Sequence, residues 1–208
     1  MSLELWLAYT LAAAIILVIP GPTILLVISQ AVTHGRKSVV PLAAGVLFGD
    51  FTAMTLSLLG LGAILSASAA LFAVFKIFGA LYLVYLGIKM WRKNTLIGAA
   101  IPGIEPKSAR ALFKSAYVVT ALNPKGIAFF VAFLPQFINS AQPAAPQLVL
   151  LGGTFLVLGL INAALYAIFA GQLRDSLRKR SLHRWFHRLG GSALIGAGII
   201  TAGLQRSS

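Results

Sequence analysis

Apolar residues run in long blocks along this chain, and short polar intervals separate the blocks. Runs of roughly 20 apolar residues, the length an α-helix needs to cross a bilayer, occur six times: Leu5–Val32, Val39–Ser66, Ala69–Trp91, Leu112–Phe137, Gln147–Gly171 and Leu189–Leu204. The sixth is the shortest. No run alternates with a period of two, and all are too long for barrel strands. The pattern therefore predicts an all-α membrane protein with six transmembrane helices. Five spans with one re-entrant segment is the main alternative. The first run has only Glu4 before it and no Lys or Arg, so it lacks the basic start of a cleaved signal and is read as a retained span.

Composition strengthens this picture. Hydrophobic residues are 59% of the 208 and charged residues only 10%, too little polar surface to cover a water-soluble globule. In lipid, backbone groups must be satisfied internally, which again selects helices. With no cysteines, disulfides and thiol-ligated metals are excluded.

The formal charge of +13 would ordinarily suggest nucleic acid, but its distribution excludes that partner. Fourteen of the 17 Lys and Arg residues fall in or beside the intervals after runs one, three and five: Arg36 and Lys37, then Lys89 to Lys114, then Arg174 to Arg188. The intervals after runs two and four, SASAALF and NSAQPAAPQ, have none. By the positive-inside rule the odd-numbered loops are cytoplasmic and both termini face outward. The Pro- and Gly-containing basic loop 93–111 divides the chain into 1–92 and 112–208. Three spans per half makes the second half inverted relative to the first, a common plan for secondary transporters. Helices one and four are each broken by proline, at IPGPT (Pro20, Gly21, Pro22) and NPKG (Asn123, Pro124, Lys125).

Depth brings these features together. At 1.5 Å per residue, Lys125 lies roughly 16 Å beyond Lys114 and Asp50 roughly 16 Å beyond Val39. Pro22 lies roughly 18 Å before His34, and Asn162 roughly 18 Å before Arg174. All four fall near the middle of a core about 30 Å thick. A charge there costs about 2.5–3.5 kcal/mol on insertion scales, and Asp50 is the only acid within a run. Lys125 is its natural countercharge, with a structural ion pair as the plain alternative to a functional one. Broken helix ends expose amides that suit a carboxylate and carbonyls that suit an ammonium. Pro20, Gly21, Pro22, Asp50, Asn123, Pro124, Lys125 and Asn162 are therefore the candidate substrate or coupling residues. For Asn162 alone an interhelical hydrogen bond is the simpler role. Gly45 with Gly49, and Gly198 with Ala202, place small residues on one helix face and read as packing sites. Lys76, roughly 24 Å from the inner side, is expected to reach the outer interface. His183 and His187 have a metal-capable spacing, but they sit among basic residues and read as a headgroup-facing surface. No histidine lies within a run, so no intramembrane catalytic set can be assembled, and neither a metal nor a cofactor is called for. An ion channel is unsupported too, for want of a filter motif.

IPGPT in the first run, GVLFGD in the second, KIFGALYLVYLGIKMWR in the third and NPKGIAFFVAFLPQF in the fourth, in this order and spacing, resemble the LysE/RhtB family of amino-acid exporters. The resemblance covers the whole chain. It implies cofactor-free, six-helix secondary transporters of bacterial inner membranes, driven by the proton or membrane gradient and assembled as homodimers. It implies substrates such as lysine, arginine, threonine, homoserine or leucine. The expected partners are then a small amino acid, protons and the lipid bilayer. A non-transporting membrane scaffold or assembly factor is the rival expectation. It predicts a dry, fully paired interior around Asp50.

Overall fold

The computed structural model describes residues 1–67, 108–139 and 141–170, with scattered residues between 77 and 199. Most of runs three and six, most of the 93–111 loop, and Lys76, His183, His187, Gly198 and Ala202 lie outside the described residues.

Every element of the described residues is helical. Helix α1 (Leu3–Val18) starts at Ser2, whose hydroxyl accepts from the Leu5 amide at 3.3 Å. It stops because Pro20 pushes Ile19 out of the helical region, to φ −71°, ψ 116°. Helix α2 (Pro22–His34) begins with Pro22 at its first position, where the missing N–H costs nothing. It ends at Gly35, whose φ of +65° lets the chain double back through Gly35–Ser38 into α3 (Val39–Ala67). Helix α4 (Ala109–Ala121) is capped by Ser108. After Leu122 and Asn123 the chain resumes as α5 (Pro124–Ala128), again with proline at the first position. It continues through a π-helical turn at Phe129–Phe133 and a tight turn at Leu134–Phe137. Helix α6 (Ala144–Ile168) completes the described fold.

Among the described residues two stretches are long and apolar enough to cross a bilayer: Pro22–Gly60, doubled back at Gly35 so that α3 supplies the length, and Ala144–Ile168. Ala109–Ala121 and Pro124–Phe137 together qualify as one span bent by 41°. Helix α1 is apolar but shorter. Its Leu3, Leu7 and Leu11 are 68%, 51% and 64% exposed, while Tyr9 and Ala13 on the other face are fully buried. A helix that is apolar on its exposed face as well as its buried one is built for lipid.

The interior is two apolar clusters stacked along the helices. One joins α1 to Ala53 and Met54 of α3, to Phe129–Leu134 after α5, and to Leu151 and Phe155 of α6. The other joins α2 to Leu42 and Val46 of α3, to Leu112 and Ala116 of α4, and to the Ala163–Ala170 end of α6. The continuous helices α3 and α6 run through both. The broken spans change cluster at their breaks.

Gly45 and Gly49 let α3 approach α4 closely. A methyl group at Gly45 would lie 2.5 Å from the Phe113 carbonyl oxygen, and one at Gly49 would lie 2.8 Å from that of Tyr117. Backbone cannot rotate away as a side chain can. Gly45→Ala and Gly49→Ala are each expected to lower stability by about 1–3 kcal/mol, read as a fall in the unfolding temperature of the purified protein. An unchanged temperature for both would show that the helices separate freely.

Candidate functional site

At the boundary of the two clusters lies a cavity of about 30 Å³. Both breaks, α3 and α6 meet there. Gly21, Thr23 and Ile24 come from the first break, and Asn123, Lys125 and Gly126 from the second. Val46 and Asp50 come from α3, Phe155, Gly159 and Asn162 from α6, and Ile16, Leu17 and Phe129 complete the wall. Of the residues singled out in the sequence, Gly21, Asp50, Asn123, Lys125 and Asn162 face this space. Pro20, Pro22 and Pro124 do not; they shape the breaks. Gly45 and Gly49 lie against α4 instead. The space holds about two waters, far below the roughly 300–1,000 Å³ of a ligand pocket.

The end of α1 is held by side chains from the second half of the chain. Lys125 Nζ donates to the carbonyls of Ile16 and Ile19, each at 2.8 Å. Asn162 Nδ2 donates to the Leu17 carbonyl at 3.1 Å, and the Tyr166 hydroxyl to that of Val18 at 2.6 Å. A severed helix leaves its last carbonyls without intrahelical donors, and here four successive carbonyls are met by three side chains. The ammonium also sits at the negative end of the helix dipole. A full charge beside a helix breaker in mid-span is thereby explained: the break supplies the acceptors that the charge needs.

Lys125 does not close an ion pair with Asp50, contrary to the simplest expectation from depth. Its N–H groups go to α1 instead, although both side chains line the same cavity. Its side chain lies over Gly21, where an added methyl would be 3.5 Å from Nζ. The second break is organised differently. Asn123 Oδ1 accepts from the Lys125 amide at 3.1 Å and caps α5, and Asn123 Nδ2 donates to Thr23 Oγ1 at 3.0 Å. Thr120 donates to the same oxygen at 3.3 Å. Helix α2, by contrast, has glycine before it and receives no side-chain cap.

Asp50 is 7% exposed, and no hydrogen bond to its carboxylate occurs among the described residues. On one side it rests against Gly159: a methyl group there would lie 3.0 Å from Asp50 Oδ2. Phe155, Gly159, Asn162 and Tyr166 recur at helical spacing on one face of α6. That spacing was available in the sequence, yet only Asn162 stood out as polar. Thr23 was also legible, since it follows Pro22 as Lys125 follows Pro124. Gly159→Ala is expected to crowd the carboxylate and lower stability by about 1–3 kcal/mol, read as a fall in the unfolding temperature. An unchanged temperature would show that Asp50 can give way.

Among the described residues no group of His, Cys, Asp or Glu side chains gathers to hold a metal ion. Charge, amides and carbonyls around a small cavity are what the site offers. Such a set can bind and release a small zwitterion.

The sequence profile described as "LysE type translocator" matches residues 14–202. A membrane protein of Vibrio cholerae is 33% identical over 97% of this chain and 98% of its own length. The homoserine/homoserine lactone efflux protein of Salmonella typhimurium is 30% identical over 100% of both chains. The leucine efflux protein of an Enterobacter species is 35% identical over 81% of this chain and 80% of its own. No solved structure matches.

Proposed function

This chain belongs to the LysE/RhtB family of membrane transporters, and from that premise we propose that it exports a small amino acid or a related metabolite by alternating access around the cavity at Asp50. One observation carries the assignment of the site: a buried carboxylate, without a hydrogen-bond partner among the described residues, faces a small cavity that also receives the uncapped start of α2. Asp50 receives the substrate ammonium. The amides of Gly21, Thr23 and Ile24 receive its carboxylate, as helix starts do for anions. Lys125, Asn162 and Tyr166 hold the end of α1 in place. The apolar wall of Ile16, Leu17, Phe129 and Phe155 suits an uncharged side chain, in keeping with the relatives named for homoserine and leucine efflux. The single acid disfavours a dibasic substrate.

The wider architecture belongs to the same reading. Six transmembrane helices form two inverted three-helix repeats, 1–92 and 112–208, joined by the cytoplasmic basic loop 93–111. The protein sits in the bacterial inner membrane with both termini outside, works as a homodimer, and is driven by protons or the membrane potential. The scaffold alternative requires a dry, fully paired interior, and the cavity against Asp50 and the family membership both weigh against it.

The test is a toxicity and efflux screen of overexpressing cells against each amino acid and its dipeptides. Faster efflux of at least one small neutral amino acid than in empty-vector cells is expected. Equal efflux for every compound would end the exporter reading.

A further inference from the structure

Two side-chain polar atoms among the described residues are sealed inside the protein with no hydrogen-bond partner: the Tyr9 hydroxyl and the Gln30 side-chain oxygen. Their residues are 0% and 6% exposed. Buried polar atoms almost always find partners, and one that does not destabilises the conformation that buries it.

Their positions are related. Tyr9 lies on α1, seven residues before Ile16, and Gln30 on α2, seven residues after Thr23; Ile16 and Thr23 both line the cavity. Seven residues are two helical turns, so each orphan stands roughly 10 Å from the cavity on the same helix face as its lining residue. Because α1 and α2 belong to different apolar clusters, the two atoms stand on opposite sides of the cavity. Neither lines it. The Tyr9 ring has ample packing, with centroids 5.9 Å from Phe129 and 5.3 Å from Phe137. Packing alone would be served equally by phenylalanine.

We propose that Tyr9 and Gln30 are gating residues for the two halves of the transport path, each left unpaired while its half is closed and each gaining a partner, water or substrate, only when that half opens. The proposal rests on the exporter reading above. Each orphan raises the free energy of the closed form and leaves that of the open form on its own side untouched. Each thereby favours opening of one side only. The Gln30 end is the one closed by the Arg36–Lys37 turn, and the Tyr9 end is the one where the chain starts.

The test uses Tyr9→Phe, which keeps the ring contacts, and Gln30→Met, which keeps length and removes the amide. The chain has no cysteine, so Ala13→Cys, one turn from Tyr9, and Ala31→Cys, beside Gln30, serve as single reporters. A membrane-impermeant maleimide is added to either face of oriented vesicles. The parent is expected to label at Ala13→Cys from one face and at Ala31→Cys from the other. Tyr9→Phe should slow labelling at Ala13→Cys about five- to tenfold and leave Ala31→Cys unchanged or faster. Gln30→Met should do the reverse. Both variants should export more slowly with substrate binding retained. A merely structural hydroxyl or amide would move the unfolding temperature without moving side-specific labelling. Unchanged labelling, or equal slowing at both reporters, overturns the proposal. Export by the parent, measured in the same vesicles, separates the two failures. A parent that does not export ends the exporter reading; one that exports without the asymmetry ends only the gate assignment.

Discussion

Asp50→Asn is expected to reduce export in reconstituted vesicles by about 30-fold or more. The carboxylate is buried at the junction of two broken helices and two continuous ones, with no protein donor competing for it among the described residues. Asparagine keeps the shape and still accepts a hydrogen bond, so the change isolates the charge. Removing one partner of a buried, hydrogen-bonded charge pair costs about 2–5 kcal/mol. At about 1.4 kcal/mol per factor of ten, even the lower figure gives that loss. The fold should survive, because the substitution removes a desolvated charge and creates none. If Asp50 also carries a coupling proton, residual transport by the variant should no longer respond to an imposed pH gradient. Full, still pH-dependent export by Asp50→Asn would remove Asp50 from the mechanism.

Lys125→Met should fail in a different way, by loss of stability. Methionine retains much of the apolar stem over Gly21 but cannot donate, leaving the carbonyls of Ile16 and Ile19 unmet in the middle of the bundle. Each unmet buried acceptor costs about 1–3 kcal/mol, so an overall loss of about 2–6 kcal/mol is expected for the two, together with a marked fall in the unfolding temperature in detergent. The double variant Asp50→Asn/Lys125→Met decides between two roles for the lysine. Were Lys125 only a countercharge, neutralising both groups would restore the stability of Asp50→Asn. Because its N–H groups hold α1, the double variant should remain as unstable as Lys125→Met. Recovery of stability in the double variant would assign the lysine to Asp50 after all.

How far the site could be read from the chain follows from what kind of information each part needs. The prolines at IPGPT and NPKG act on their immediate neighbours, so the breaks at Ile19–Pro22 and Leu122–Pro124 were legible. Counting along straight helices sufficed to place Asp50, Lys125 and Asn162 at one level, and all three reach one cavity. The same counting paired Lys125 with Asp50, the opposite charge at the same depth. It could not foresee that the carbonyls of Ile16 and Ile19 are the closer acceptors, because they become available only once the broken end of α1 is set beside α5. Gly159 was invisible for a related reason. A glycine in an apolar run carries no signal until a carboxylate is found resting on it. Nor does any pattern of residues disclose how small the cavity is.

The grip on the end of α1 also bears on how this protein is made. The partners of its four carbonyls lie 106 to 148 residues further along the chain. At about 5–20 residues per second, a ribosome takes about 5–30 s to deliver them. Throughout that interval the first helix is already synthesised, with its carbonyls bare. The end of the first helix is therefore completed only when the last of its clasps, Tyr166, has emerged.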